Sequence, residues 1–271
     1  MPLTILITGA SSGIGKETAK LFAARGWQVI ATMRNPQESG DLACLDNVFL
    51  TKLDVTDSES IAKAVEAGLE RFGKIDALLN NAGYGAYGPL EASTMERIRR
   101  QFDTNVIGLL ETTKAVLPHL RKQGSGTIIN ISSIGGQMAF PLGSLYHGTK
   151  FAVEGLSESL YYELEAVGIR VKLVEPGMIA TDFAGRSFDM ANDESLSGYQ
   201  PVVKGLFGSW SKELKTSEPI VVAEVIWKAA TDGASTLRYR AGADAEELLN
   251  RRKLVDDATF MADLKKQFGL I

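Results

Sequence analysis

Leu3-Thr4-Ile5-Leu6-Ile7-Thr8-Gly9-Ala10-Ser11-Ser12-Gly13-Ile14-Gly15 opens the chain with an apolar run that stops at a cluster of glycines and serines. A continuous apolar run of this length predicts a strand over residues 3–8, buried on both faces as in a parallel sheet. The pattern beyond it predicts a helix over 13–25. Glycines permit the tight turn between the two and let the backbone approach a ligand closely. The helix N-terminus then offers free N–H groups and the positive end of a dipole to a pyrophosphate. The spacing, G-x-x-x-G-x-G, differs from the commoner dinucleotide fingerprint G-x-G-x-x-G. A glycine-rich turn can be a plain connector, but a strand before it and a helix after it favour phosphate binding.

Outward from this unit, strands and helices alternate. Strands are predicted over 28–33, 48–53, 76–80, 127–131, 171–174 and 236–240. Helices are predicted over 58–72, 94–117, 220–230, 243–250 and 256–268, with another beginning near Tyr146. That alternation predicts an α/β fold: a doubly wound parallel sheet of Rossmann type, in a single domain (1–271) with helices on both faces. The stretch 182–219 is polar and weakly periodic, with scattered Phe183, Phe188, Tyr199, Leu206, Phe207 and Trp210. An irregular insert of this length predicts a mobile substrate lid. Residues 243–271 form a C-terminal helical extension.

With 271 residues, the chain suits one domain with a large core. A net charge of −4 with no basic stripe argues against nucleic acid or an anionic membrane as partner. No apolar run approaches the length of about 20 residues that spans a bilayer, and no signal peptide is visible, so a cytoplasmic protein is the expectation. Cys44 is the single cysteine, and His119 and His147 are the only histidines, so neither an internal disulfide nor a His/Cys metal site is expected.

The residue types at the strand ends suggest a nucleotide. After the second strand come Met33-Arg34-Asn35, with no carboxylate until Glu38. An acid here would bind a ribose 2′-hydroxyl, whereas the forked guanidinium of Arg34 suits a 2′-phosphate and therefore NADP(H). Asp54, after the third strand, is placed to accept from an adenine amino group. Asn81-Ala82-Gly83 are small residues where the nicotinamide half would lie. Asn105 interrupts an apolar stripe, as a buried hydrogen-bond anchor and, compatibly, as the holder of a water or backbone carbonyl near Lys150. Ser133 ends a strand, as a turn residue or as a hydroxyl aimed at substrate.

Tyr146 and Lys150 are four apart on a helix, hence on one face. A phenol with its usual pKa of about 10 is a poor base. An ammonium about 5 Å away, at an effective dielectric of about 20, favours the phenolate by about 3 kcal/mol, or about two pK units. The pair is suited to proton transfer. His147 points about 100° around the helix from Tyr146 and reads as a neighbour without a chemical role.

Together, Thr8-Gly9-Ala10-Ser11-Ser12-Gly13-Ile14-Gly15, Asn80-Asn81-Ala82-Gly83, Asn105, Ser133, Tyr146…Lys150 and Pro176-Gly177…Thr181 resemble the short single-domain branch of the short-chain dehydrogenase/reductase family, over residues 3 to about 242. The resemblance implies Tyr146 as general acid and base, with Lys150 lowering its pKa and binding the nicotinamide ribose. It implies Ser133 on the substrate oxygen and Asn105 in a proton relay. Gly9, Ser11, Ser12, Gly13 and Ile14 would line the pyrophosphate, Asp54 and Val55 the adenine, and Asn81, Ala82 and Gly83 the ribose side. Pro176, Gly177, Ile179 and Thr181 would hold the nicotinamide. The basic residue that NADPH-preferring members often carry before the second motif glycine is here Ser12, so the NADP(H) expectation rests on Arg34. A homodimer or homotetramer, built on the long helices around Asn105 and after Lys150, is also implied.

Tyr84, Gln137, Met138, Phe140, Leu142, Met178, Phe183 and the aromatic residues of the 182–219 stretch are expected pocket walls. None is charged, which predicts an apolar ketone, aldehyde or secondary alcohol, and the spelling Ala31-Thr32-Met33-Arg34-Asn35 resembles members that act on steroids and retinoids. Two alternatives stand beside this: a non-catalytic dinucleotide sensor on the same fold, and a nucleotide-sugar epimerase or dehydratase, whose larger C-terminal domain has no counterpart here.

Overall fold

The computed structural model describes residues 2–181, 185, 187–210 and 216–271. Strand β1 (Thr4–Ile7) is wholly buried and leads into α1 (Gly13–Ala24), as the apolar run and glycine turn predict. Then follow β2 (Gln28–Met33), β3 (Val48–Lys52), α2 (Ser58–Phe72) and β4 (Ala77–Asn80). The Asp57 side chain caps α2 by accepting from the Glu59 and Ser60 amides at 3.0 and 3.1 Å. At the other end Gly73, with φ 79°, takes the left-handed turn that stops the helix.

The second half holds β5 (Gly85–Tyr87), α3 (Met95–Phe102), α4 (Gly108–Gln123), β6 (Gly126–Ile131), α5 (Ser144–Glu165) and β7 (Ile169–Pro176). The chain closes with β8 (Phe188–Met190), α6 (Gln200–Trp210), α7 (Pro219–Thr231), β9 (Arg238–Ala241), α8 (Ala243–Leu254) and α9 (Asp257–Gln267). The expected parallel doubly wound sheet is present, seven-stranded in the order β3-β2-β1-β4-β6-β7-β9. The order reverses between β1 and β4, which opens a crevice at the carboxyl ends of the strands.

Helices α1 and α7 cover one face through Phe22, Val222 and Ile226, with Phe22 edge-on to Trp27 and Trp227 at 5.1 and 5.0 Å. Burying a side chain such as Phe22 contributes about 1.5–3 kcal/mol. Helices α2, α4 and α5 cover the other face with Val65, Val116, Leu120 and Leu164. A third cluster gathers Ala245, Leu249, Phe260, Leu264 and Phe268 from the C-terminal extension against Tyr87, Ile134 and Met138.

Three expectations need correction. The helix predicted over 94–117 is two helices joined by one turn of π-helix, Asp103–Ile107. The wider turn sets Asn105 inward, and Gly108 lets α4 close on the Val55 carbonyl, where a Cβ would lie 2.6 Å from the oxygen. The predicted end at residue 117 falls short, since α4 runs through Pro118 to Gln123. The stretch 182–219 is not irregular throughout. β8 pairs in parallel with β5, α6 buries Val203 and Leu206, and Ile179 bridges to Ser217 near the end of the stretch. A strand of three residues and a short helix give too few repeats to register as periodicity. Residues 182–184, 186 and 211–215, Phe183 among them, lie outside the described residues.

Candidate active site

The glycine turn is held shut by Asn81. Its side-chain amide donates to the Thr8 and Gly9 carbonyls at 2.9 and 3.1 Å, and its backbone N–H donates to Thr8 Oγ1 at 3.0 Å. Gly9, with φ 70°, packs so closely that a Cβ would lie 3.0 Å from the Ala82 Cα. Gly15 serves instead the packing of α1 on the turn, since a Cβ there would overlap the Gly9 carbonyl. The N-terminus of helix α1 presents free backbone N–H groups and the positive end of its dipole at the mouth of this turn, which favours an anion. The Cβ position of Gly13 (φ 54°) is 3.4 Å from Thr181 Cγ2, which brings the end of the Pro176-Gly177…Thr181 motif to the mouth of the turn. This glycine cradle fits a dinucleotide pyrophosphate.

Arg34 stands exposed just past β2 and makes no ion pair with the described residues, while Lys16 and Lys20 are each tied to Asp41 at 2.7 Å. Asp54 accepts from the Thr56 amide at 3.0 Å in a tight turn beyond β3. The side chains of Ile14, Val55 and Ile179 pack into the core, so these residues can offer a ligand chiefly their backbone. Asn80 and Asn81 part company. Asn80 turns into the interior and donates to Thr113 Oγ1 and Asn130 Oδ1, both at 2.9 Å.

Asn105 is buried and grips the backbone. Its Oδ1 accepts from the Tyr84 N–H at 3.1 Å, and its Nδ2 donates to the Tyr84 carbonyl at 2.9 Å and to Thr149 Oγ1 at 3.0 Å. Asn105 thus ties the Tyr84 backbone to α5. Thr149 sits beside Lys150, so the anchor also reaches the Tyr146–Lys150 face.

Ser133, Tyr146 and Lys150 converge. Ser133 begins the segment that joins β6 to α5, accepts the Gly135 N–H at 3.0 Å, and hydrogen-bonds the Tyr146 phenol. Lys150 is buried and donates at 2.8 Å to the Ile131 carbonyl, with Nζ 5.8 Å from the Tyr146 ring centroid. Burial pushes the Tyr146 phenol above its ordinary value, against the lowering pull of Ser133. Helical spacing alone predicts the opposite, a phenol lowered by the ammonium. The difference is desolvation, which disfavours the phenolate and also pushes Lys150 down to about 8, against the raising effect of Glu154.

The family model for short chain dehydrogenases matches residues 3–192. The chain belongs to this family. The short-chain dehydrogenase is 47% identical over 239 residues (88% of its length, 100% of the relative's) to an uncharacterized oxidoreductase of Schizosaccharomyces pombe. It is 45% identical over 197 residues (73% and 70%) to 3-ketodihydrosphingosine reductase of Bacteroides thetaiotaomicron. It is 35% identical over 255 residues (88% and 81%) to bovine (Bos taurus) retinol dehydrogenase 8. Among solved structures, a short-chain dehydrogenase from Streptomyces avermitilis superposes with a TM-score of 0.84 at 33% identity, covering 100% of this chain and 98% of that one. A 3-ketoacyl-(acyl-carrier-protein) reductase from Brucella melitensis, complexed with NADH, gives 0.76 at 26% identity (90% and 98%). ElxO with NADP bound gives 0.72 at 29% (89% and 98%). The protein is thus an NAD(P)-dependent dehydrogenase/reductase.

In this short-chain dehydrogenase the expected pocket walls divide. Phe140, Leu142 and Met138 do join Tyr146 in an apolar cluster, together with Phe188 and Trp210. Gln137 does not. It donates to the Glu175 carboxylate and lines a separate cavity of about 290 Å³ with Arg238, Arg240, Glu246 and Lys253. Tyr84 is drawn outward to Arg100, whose Nε lies 3.2 Å from its hydroxyl, and Tyr199 is drawn to Glu91 at 3.0 Å. Sequence reasoning missed Tyr87, whose ring is 5.7 Å from Tyr146, 5.2 Å from Phe188 and 5.6 Å from Trp210. It also missed Asp244, which accepts the Met178 N–H at 2.6 Å and so ties the C-terminal extension to the Pro176-Gly177 turn. The alternation of Gly85-Ala86-Tyr87 is too brief to betray Tyr87; a carboxylate at the start of a helix is the one signal for Asp244.

Proposed function

We propose that this short-chain dehydrogenase interconverts a carbonyl and an alcohol on an apolar substrate, steroid- or retinoid-sized ones included, with NADP(H) as the preferred cofactor. The observation that carries the reading is the hydrogen bond between Ser133 and the Tyr146 phenol beside buried Lys150, at the edge of an aromatic wall. In reduction Tyr146 gives its phenolic proton to the substrate oxygen, and Ser133 donates a hydrogen bond to the same oxygen as charge develops there. The Lys150 ammonium stabilises the phenolate left behind. In oxidation the same phenolate takes the alcohol proton back. The nicotinamide supplies or accepts the hydride when bound. Asn105, by holding Tyr84 and Thr149, keeps the nicotinamide side of the crevice in register with α5.

Gly9, Ser11, Ser12, Gly13 and Ile14 hold the pyrophosphate, Asp54 and Val55 the adenine, and Asn81, Ala82 and Gly83 the ribose side. Pro176, Gly177, Ile179 and Thr181 hold the nicotinamide. The exposed guanidinium of Arg34 takes the 2′-phosphate, since Lys16 and Lys20 are already paired with Asp41 and Glu17. The wall of Tyr87, Phe140, Phe188 and Trp210, capped by Phe268 at 5.9 Å from Phe140, suits an extended hydrocarbon. Relatives named retinol dehydrogenase and 3-ketodihydrosphingosine reductase point the same way. The exposed Phe102, Ile107 and Phe151, near Asn105 and after Lys150, mark the helices on which a homodimer or homotetramer forms. NADPH consumption across apolar, sugar-like and charged carbonyl compounds tests the reading. Preference for the apolar set, abolished in Tyr146→Phe, is expected; preference for charged or sugar-like compounds overturns the substrate class.

A further inference from the structure

The imidazole of His147, the residue after Tyr146, is buried beneath the segment that joins β6 to α5. Its Nε2 lies 3.0 Å from the Phe140 amide nitrogen, and its Nδ1 lies 3.1 Å from the Gly135 carbonyl oxygen. An amide N–H only donates and a carbonyl only accepts. One form satisfies both contacts: the neutral ring with its proton on Nδ1. Burial pushes the imidazole down to about 4, so this neutral form is the one present at ordinary pH. The Tyr87 hydroxyl, 3.5 Å from Nε2, closes the remaining side.

Gly135 passes the constraint to Ser133. Its carbonyl accepts from His147, and its own N–H donates to Ser133 Oγ at 3.0 Å. Accepting there directs the Ser133 O–H elsewhere, and the Tyr146 phenol is its partner. Two glycines leave room for the ring. A Cβ at Gly135 would lie 2.5 Å from Nδ1, and one at Gly143 would lie 2.5 Å from Cδ2. The same segment contains Leu142, with φ 64° the sole non-glycine at positive φ among the described residues. That conformation costs about 1–2 kcal/mol and persists where its surroundings hold it.

We propose that His147 is a positioning residue: through Gly135 and Phe140 it clamps the 133–143 segment to the helix that carries Tyr146, and so fixes both the direction of the Ser133 hydroxyl and the place of the Phe140 wall. This role rests on the reading of Ser133 and Tyr146 proposed above.

Two variants test it. His147→Asn keeps a side-chain amide near the Nδ1 position to donate to Gly135, whereas His147→Phe fills the space and keeps neither bond. The readouts are kcat with NADPH over a panel of apolar ketones, and NADPH affinity by fluorescence titration. Displacements of about 1 Å cost up to about 10²-fold in rate. His147→Phe is expected to lose about 10- to 100-fold in kcat with NADPH affinity unchanged, and His147→Asn to recover most of that loss. Full kcat in His147→Phe overturns the role. So do equal losses in the two variants, or a matching loss of NADPH affinity, since either would indicate bulk packing alone. A wild-type protein inert on the panel overturns the reading of Ser133 and Tyr146 and removes this role with it. An active wild type with an unaffected His147→Phe removes this role alone.

Discussion

Lys150 Nζ lies 5.8 Å from the ring centroid of Tyr146, one turn away on α5, and is pinned there by its 2.8 Å bond to the Ile131 carbonyl. The ammonium is thus held in place, and no side-chain ordering is needed when charge develops on the phenol. Replacing Tyr146 by Phe removes the hydroxyl proposed as the proton donor and leaves the ring packing intact. Loss of about 10²–10⁴-fold in kcat is expected, with NADPH affinity preserved. Steady-state kinetics with parallel cofactor titration checks it; a Phe variant with retained turnover would eliminate the assigned proton donor.

Burial brings Lys150 down to about 8, with Glu154 opposing the fall. The ammonium is present below that value and is lost as pH rises through it. Carbonyl reduction is therefore expected to hold steady up to about pH 8 and to decline above. Glu154→Gln removes the carboxylate that holds the lysine up, so the declining limb should move to lower pH. A pH–rate profile in which the Gln variant superposes on the wild type would contradict this.

Arg34 is exposed and makes no ion pair among the described residues, while the two lysines of α1 pair with Asp41. A hydrogen bond to a charged group is worth about 1.5–3 kcal/mol. Arg34→Ala should weaken NADPH binding by about 10- to 100-fold and leave NADH nearly untouched. Calorimetric titration with both nucleotides decides it, and an equal effect on the two would remove Arg34 from the 2′-phosphate.

Glu175 is buried at the end of β7, where desolvation and the neighbouring Glu154 push it up to about 7 in spite of Arg238 and Arg240 at 3.6 and 4.0 Å. A carboxyl raised on folding favours the native state while protonated. That contribution is present below its ordinary range and is lost as pH rises toward 7. Glu175→Gln, neutral at every pH, should therefore raise Tm relative to wild type at pH 8 by more than it does at pH 5. Thermal melts at the two pH values measure this directly, and a constant difference between them would contradict it.

Much of the fold is legible in the sequence because its signals are local. The β1 run is apolar on both faces, α1 follows its glycines at once, and β2 and α2 occupy the residues their patterns predict. Sequence patterns mislead where a feature is short or depends on distant partners. β5 and β8 hold three residues each and become strands by pairing across about a hundred positions of sequence. Asn105 sits in a π turn that no 3.6-residue periodicity reveals. The direction of the Tyr146 shift escapes the sequence because spacing on a helix gives a distance between charges and no measure of the water removed from them.

The amino-acid sequence alone determined the alternation of strand and helix, the glycine turn and the shared helical face of Tyr146 and Lys150, since periodicity, backbone freedom and helical spacing are properties of neighbouring residues. Tertiary structure decided that Gln137 turns to Glu175, that His147 grips Gly135 and Phe140, and that the C-terminal helices wall the aromatic cluster. Those outcomes depend on which surfaces are brought together and dried by packing, and no short stretch of chain carries that information.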